Sequence, residues 1–221
     1  MFGTLRLISR LVALTILVCL HLLPDRAEAH FSYADPRIVH IAEDHAGGIV
    51  ILVRMPAPLA LLPADWQGAE DTRTPPFVLR DGGETYLDRS VLVAQEDRFH
   101  GLLIEGLSVS LNGQMVVPLI GRTKIWLDAD RPRFSTVKSA LKTLGQPAPT
   151  SALPYYDVTL DVEFLIPDGA LSQTIRLSSD LGRNFQVMDQ FGTVVKLHRE
   201  TGTETQAMIG VMEASFDGVQ S

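Results

Sequence analysis

Tyr156, Val158, Leu160, Val162, Phe164 and Ile166 alternate with Asp157, Thr159, Asp161 and Glu163. A period of two marks a strand that turns one side to a core and the other to water. A chain built around such a strand must supply neighbours for it, because a lone strand leaves rows of amides unpaired. The rest of the sequence does so. Arg37 to Ala42 and Ile49 to Met55 are β-rich runs joined by the polar, glycine-containing stretch Glu43 to Gly48, which suits a hairpin. Leu102 to Leu111 and Gln114 to Ile120 flank Asn112-Gly113, a pair that accepts the positive φ angles of a type I′ turn. That turn sets a register in which Leu111 faces Gln114, Val109 faces Val116 and Leu107 faces Pro118. Further strands are expected at Thr174 to Ser178, Thr193 to Arg199 and Ala207 to Phe216.

One short helix interrupts the pattern. Phe134, Val137, Leu141 and Leu144 recur at helical spacing, with Ser135 as a candidate cap and Gly145 as a stop. The prolines at 56, 58, 63, 75 and 76 remove amide donors, so the stretch from Pro56 to Pro76 reads as a long surface excursion. The expected fold is mostly β, with antiparallel, sandwich-like (immunoglobulin-like) sheets in one or two units and one short helix. A β unit over 30–128 and a second over 155–221 are joined by the helix and a proline-rich linker over 129–154.

Residues 1–29 have the three parts of a secretory signal: basic Arg6 and Arg10, an apolar run from Leu11 to Leu23, and the small-x-small end Ala27-Glu28-Ala29. Thirteen residues of helix cover about 20 Å, short of the ~30 Å core of a bilayer. The expectation is cleavage after Ala29, a mature chain starting at His30, and a periplasmic or secreted product. The only cysteine, Cys19, leaves with the signal, which excludes disulfides, thiolate catalysis and cysteine-held zinc. No other apolar run reaches the length of a transmembrane helix. A net charge of −7 argues against nucleic acid as partner, since phosphates need a surplus of Lys and Arg.

Cleavage after Ala29 would leave the α-amine and imidazole of His30 on one residue, a pair that chelates copper, and one more imidazole would complete a three-nitrogen site. His40, His45, His100 and His198 could supply it. His40 and His45 flank the first hairpin but have opposite strand parity, so only the turn could unite them. His198, between Lys196 and Glu200, reads as a solvated side chain. His30, His40 and His45 are the candidate metal residues. Asp157, Asp161 and Glu163 share a strand face and could form an acid/base pair or a hard-cation patch. The plainer reading is the wet side of an antiparallel sheet. Asp128, Asp130, Arg131 and Arg133 likewise read as a loop of local ion pairs. No nucleophile elbow, phosphate loop, dinucleotide fingerprint or His-Glu-x-x-His is present, so the reading is that the chain is not an enzyme.

The segment Arg37-Ile-Val-His-Ile-Ala-Glu-Asp-His-Ala-Gly-Gly-Ile-Val-Ile-Leu-Val-Arg-Met-Pro56, followed by Ala57-Pro-Leu-Ala-Leu-Leu-Pro63, resembles the opening of the extracytoplasmic β domain in HupE/UreJ-like membrane proteins. Leu103-Ile-Glu-Gly-Leu107 through Pro118 is similar to that domain's middle segment. The resemblance implies an accessory β domain of a hydrogenase- or urease-related membrane protein, associated with nickel or other metal handling. The histidine-bearing membrane helices of that family have no counterpart in these residues, so no functional residue carries over. The leading expectation is an exported, non-enzymatic β domain accessory to nickel or copper handling or to a membrane-protein partner. The alternatives are an exported structural or protein-binding module without metal and, third, a copper-dependent oxidase using His30.

Overall fold

The computed structural model describes residues 36–63, 65–66, 71–81, 84–147, 153–182 and 191–219. Strands β1 (Arg37–Glu43) and β2 (Ile49–Pro56) form the expected hairpin, with Ile38 opposite Arg54 and His40 opposite Leu52. Its turn passes so close to the end of a later strand that a Cβ on Gly48 would lie 2.7 Å from the Ile166 carbonyl oxygen. Gly48 also has φ +108°, so glycine is required there twice over.

Helix α1 (Ala57–Leu61) follows at once, with Pro58 in its first turn, where a missing amide costs nothing. All five of its residues are buried, and Trp66 beyond it is buried too. The start of the stretch from Pro56 to Pro76 is therefore core rather than surface: Pro56 ends β2, and the residues after it leave the sheet for a short helix. Strands β3 (Val78–Asp81) and β4 (Glu84–Leu87) pair next. Asp88 caps α2 (Arg89–Ala94), accepting from the amides of Ser90 and Val91. Helix α3 (Glu96–Glu105) takes residues 102–105, expected as strand. Phe99 and Leu103, four apart, bury one side of it, and Glu96 and Asp97 suit its amino end.

The Asn112-Gly113 hairpin stands as expected from Ser108 to Val116, but its second arm, expected to run to Ile120, stops there, and Leu119 and Ile120 open a strand of another sheet. Strands β5 (Ser108–Leu111) and β6 (Gln114–Val116) place Leu111 opposite Gln114 and Val109 opposite Val116, with φ +50° at Asn112 and +81° at Gly113. Leu107 and Pro118 lie outside that ladder. After β7 (Leu119–Leu127) comes α4 (Val137–Leu144), the helix expected from its spacing. Its cap is Thr136 in a capping box with Ser139, not Ser135. Then follow β8 (Leu153–Pro154), β9 (Val158–Ile166), β10 (Ile175–Ser179), β11 (Gly192–Arg199), β12 (Gly202–Ile209) and β13 (Met212–Phe216). The single strand expected over 207–216 is two, broken at Gly210 with φ +89°.

These strands build a six-stranded sheet in the order β12-β11-β1-β2-β9-β7, a four-stranded sheet β13-β10-β5-β6 and a small sheet β3-β4-β8. Neighbours in the large sheet are antiparallel except β1 and β11, which run parallel. The fold is mostly β and sandwich-like, with four α-helices among the described residues where one short helix was expected, because the apolar stretches after Pro56 and Asp88 pack as helices. Division into a unit over 30–128 and another over 155–221 does not describe it. The six-stranded sheet mixes strands from both segments, and the four-stranded sheet pairs β5 with β10. Val39, Ile41, Ile51, Val53, Leu160, Val162 and Phe164 on one face of the large sheet share a core with Val109, Leu177 and Phe216 of the smaller one. Burying such side chains contributes about 1.5–3 kcal/mol each.

The other face of the large sheet is covered differently. Phe134, Ala140 and Leu144 pack on Ala42, Val50 and Leu52, so residues 131–136 and α4 form a lid over the polar side of β1, β2 and β9. Among the described residues, no helix is long and apolar enough to cross a membrane.

Candidate functional site

The polar positions of β9 lie under this lid. Asp161 is 0% exposed and Glu163 7%, which corrects the reading of a wet sheet face; only Asp157, before the strand, is exposed. Antiparallel register sets Arg54 directly opposite Asp161. The guanidinium donates from Nε to Oδ1 and from Nη2 to Oδ2, both at 2.7 Å, and Trp126 Nε1 donates to Oδ2 at 2.9 Å. Burial pushes the Asp161 carboxyl up, while Arg54 and the indole pull it down. Arg54 also donates from Nη1 to the Pro132 carbonyl at 2.6 Å and stacks on the Phe134 ring, 4.5 Å from its centroid. One arginine thus ties the sheet to the lid.

Glu163 is held separately. The bulge in β7 between Ile120 and Thr123 aims the Arg122 amide and side chain at it, with Nε to Oε2 at 2.8 Å and Nη2 to Oε1 at 2.5 Å. Burial raises the Glu163 carboxyl, but the Arg122 contacts win and hold it below its ordinary value. A Cβ on Gly121 would lie 2.6 Å from Oε2, so a larger residue there would displace the Glu163 carboxylate from Arg122. Both carboxylates are saturated by arginine, which leaves neither as a general acid or base or as a hard-cation ligand.

Of the three candidate metal residues, His30 lies outside the described residues, His45 is exposed in the β1–β2 turn, and His40 is completely buried. The structure does not bring His40 and His45 together. It brings His40 to His198, because the parallel pairing of β1 with β11 sets His40 opposite Lys196 and sends His198 to the same face. His40 Nδ1 is 2.9 Å from His198 Nε2, and His40 Nε2 is 2.9 Å from the Phe134 carbonyl oxygen. A carbonyl only accepts, so His40 carries its proton on Nε2 and its Nδ1 accepts from His198 Nε2–H. His198 Nδ1 in turn accepts from the Thr203 hydroxyl, 3.2 Å away. Every ring nitrogen is used by two neutral imidazoles. Burial lowers the pKa of both, and the charge of Lys196 lowers them further. The expected solvated His198 is therefore a half-buried partner. Among the described residues, no group of three or more His, Cys, Asp or Glu side chains converges as a metal site would.

Beside these networks lies a cavity of about 390 Å³ between β1, β2, β9 and the lid segment. Pro36, Ile38, Met55, Pro56 and Phe134 make its apolar wall, and Arg54, Arg131, Arg133, Ser135 and Thr159 its polar one. Three arginines and no carboxylate line it, in a chain of net charge −7. Thr159 donates to Asp128 Oδ1 at 2.5 Å, with Arg131 Nη1 3.5 Å from the same hydroxyl. Arg133 is exposed at the rim and makes no side-chain hydrogen bond or ion pair among the described residues. The loop of local ion pairs expected over residues 128–133 thus directs two arginines to a pocket. Sequence reasoning missed this site. Its only sequence trace is Arg54, a cation inside the apolar run from Ile49 to Met55.

Comparison with protein-family models and with curated proteins finds no match for this chain.

Proposed function

We propose that this chain is an exported, non-enzymatic β domain that works by binding, and that the arginine-lined cavity is its binding site. The observation that carries the reading is that cavity: 390 Å³, half apolar, with three arginines and no carboxylate in its wall. Binding pockets commonly combine an apolar wall with a few placed polar groups. The wall carries the hydroxyls of Ser135 and of Thr159, which donates to Asp128, but no histidine, cysteine or lysine, which supports binding rather than turnover. The resemblance to extracytoplasmic domains of HupE/UreJ-like proteins, and the signal-like residues 1–29, support export and an accessory role beside a membrane protein.

The test is methyl NMR of the full chain with a set of small acids, amines and neutral molecules. Binding moves the Ile38 and Thr159 methyl signals, Ile38→Trp abolishes the shift at Thr159 by filling the cavity, and mass spectrometry recovers every compound unchanged. Failure of every compound to move those two methyls, or its chemical conversion, overturns the reading. Metal handling rests on His30, since both ring nitrogens of His40 are engaged. Copper and nickel titration of the chain starting at His30, repeated with His30→Ala, tests it: tight binding lost in the variant supports a metal-handling role, and no uptake removes it.

A further inference from the structure

Resting on that pocket reading, we infer that the cavity takes an amphipathic monocarboxylate, its acid group on Arg133 and its apolar body against Pro36, Ile38 and Phe134. The number of charges argues for one negative charge on the ligand. Arg54 is neutralised by the bidentate contact with Asp161 and has its remaining reach committed to the Pro132 carbonyl. Arg131 is engaged at Thr159, and its charge already acts on Asp161. Arg133 is the cation left to be matched, with the exposed Ser135 two residues on.

A planar guanidinium meets a carboxylate through two parallel N–H donors, a fit that a point charge lacks. A dianion such as phosphate would bring a second charge against a wall that is half apolar, where an unmatched charge is costly. The apolar half needs a hydrocarbon or aryl body to exclude water from it. The remainder of the molecule is acidic, so carboxylates are repelled from most of its surface and concentrated only where arginines cluster. Two sources supply this chemistry: a free organic acid, and the carboxyl terminus of a peptide that ends in an apolar residue.

The experiment titrates the full chain, followed at the Ile38 and Thr159 methyls, with 4-phenylbutyrate, 4-phenylbutanol, N-acetyl-alanyl-leucine, its carboxamide and inorganic phosphate. A charge-assisted pair predicts about tenfold tighter binding of each acid than of its neutral counterpart, and a loss of about tenfold for the acids in Arg133→Gln. Unmoved methyls elsewhere verify that Arg133→Gln keeps its fold. Binding of 4-phenylbutyrate alone assigns a small organic acid, and tighter binding of the dipeptide acid assigns a peptide terminus; both support the inference. Equal binding of acids and neutral counterparts, an Arg133→Gln variant that keeps the difference, or phosphate binding more tightly than either acid overturns it while leaving the pocket in place. Silence from all five probes overturns the inference and the pocket reading together.

Discussion

The two faces of the six-stranded sheet are held down by different physics. Against the four-stranded sheet, Val39, Ile51, Val162 and Phe164 interlock with side chains that need only shape and size from one another. Under α4 and residues 131–136, the sheet offers Arg54, His40, Asp161 and Glu163, and each must meet a named partner in a named geometry. The apolar face tolerates replacement by volume, because close packing is non-directional. The polar face is all or nothing, since one missing partner strands a buried charge. A face of the second kind is a costly way to hold a lid, and it is the face that borders the cavity.

The largest expected effect is at the centre of that face. Asp161→Ala leaves Arg54 buried without its counter-ion and should cost about 3–5 kcal/mol in chemical denaturation. Replacing both residues, Arg54→Met with Asp161→Leu, should recover much of the loss; if the double variant is as unstable as the single one, the ion pair is not what makes this face different.

Next comes the pH dependence of the His40–His198 pair. Both pKa values are lowered by folding, so their contribution is complete above the unfolded value of about 6.5 and fades as pH falls through the folded values. Protonation puts donors on both facing nitrogens and breaks the 2.9 Å contact. Urea midpoints measured from pH 8 to 5 should fall, and His40→Gln should flatten that part of the curve. An equal slope in wild type and variant would assign the loss to other groups.

On the apolar face, Ile51→Val removes one buried methyl and should cost about 0.5–1.5 kcal/mol by the same measurement. A loss matching that of Asp161→Ala would erase the contrast between the faces. The smallest effect belongs to Arg133→Gln. Its side chain is exposed and has no partner among the described residues, so stability should stay within about 0.5 kcal/mol while carboxylate binding weakens. Thermal melts beside the binding titration separate the two.

Much of the strand pattern is legible in the residues alone. The alternation around Leu160 and Val162, the glycine-containing turn before Ile49, and Asn112-Gly113 are local signals with local causes. So is α4, whose spacing and Gly145 stop mark it, although its cap is Thr136 rather than Ser135 because Ser139 completes a reciprocal pair there. What misleads is the step from polar to wet. Asp161 and Glu163 do occupy the polar side of their strand, but a lid from residues 131–144 closes over them, and nothing in β9 announces that. Residues 102–105 depart from expectation for a related reason: Leu102, Leu103 and Ile104 suit a strand or a helix, and packing of Phe99 and Leu103 decides it.

The site is the least readable part. His40 and His198 are separated by 158 positions and meet only because β1 pairs in parallel with β11. Arg54 and Asp161 are separated by 107 and meet through the β2–β9 register. Sequence by itself determined that the chain is mostly β, where its tightest turns fall, which strand positions are polar, and that its longest helix-like apolar run stands before His30, because these depend on neighbours a few residues apart. Tertiary structure alone decided that the two halves interleave in one sheet, that the polar face is dry, and that three arginines meet around one cavity. Strand order and the docking of α4 are long-range choices made by total burial and by satisfaction of every buried charge, quantities that belong to the whole chain rather than to any stretch of it.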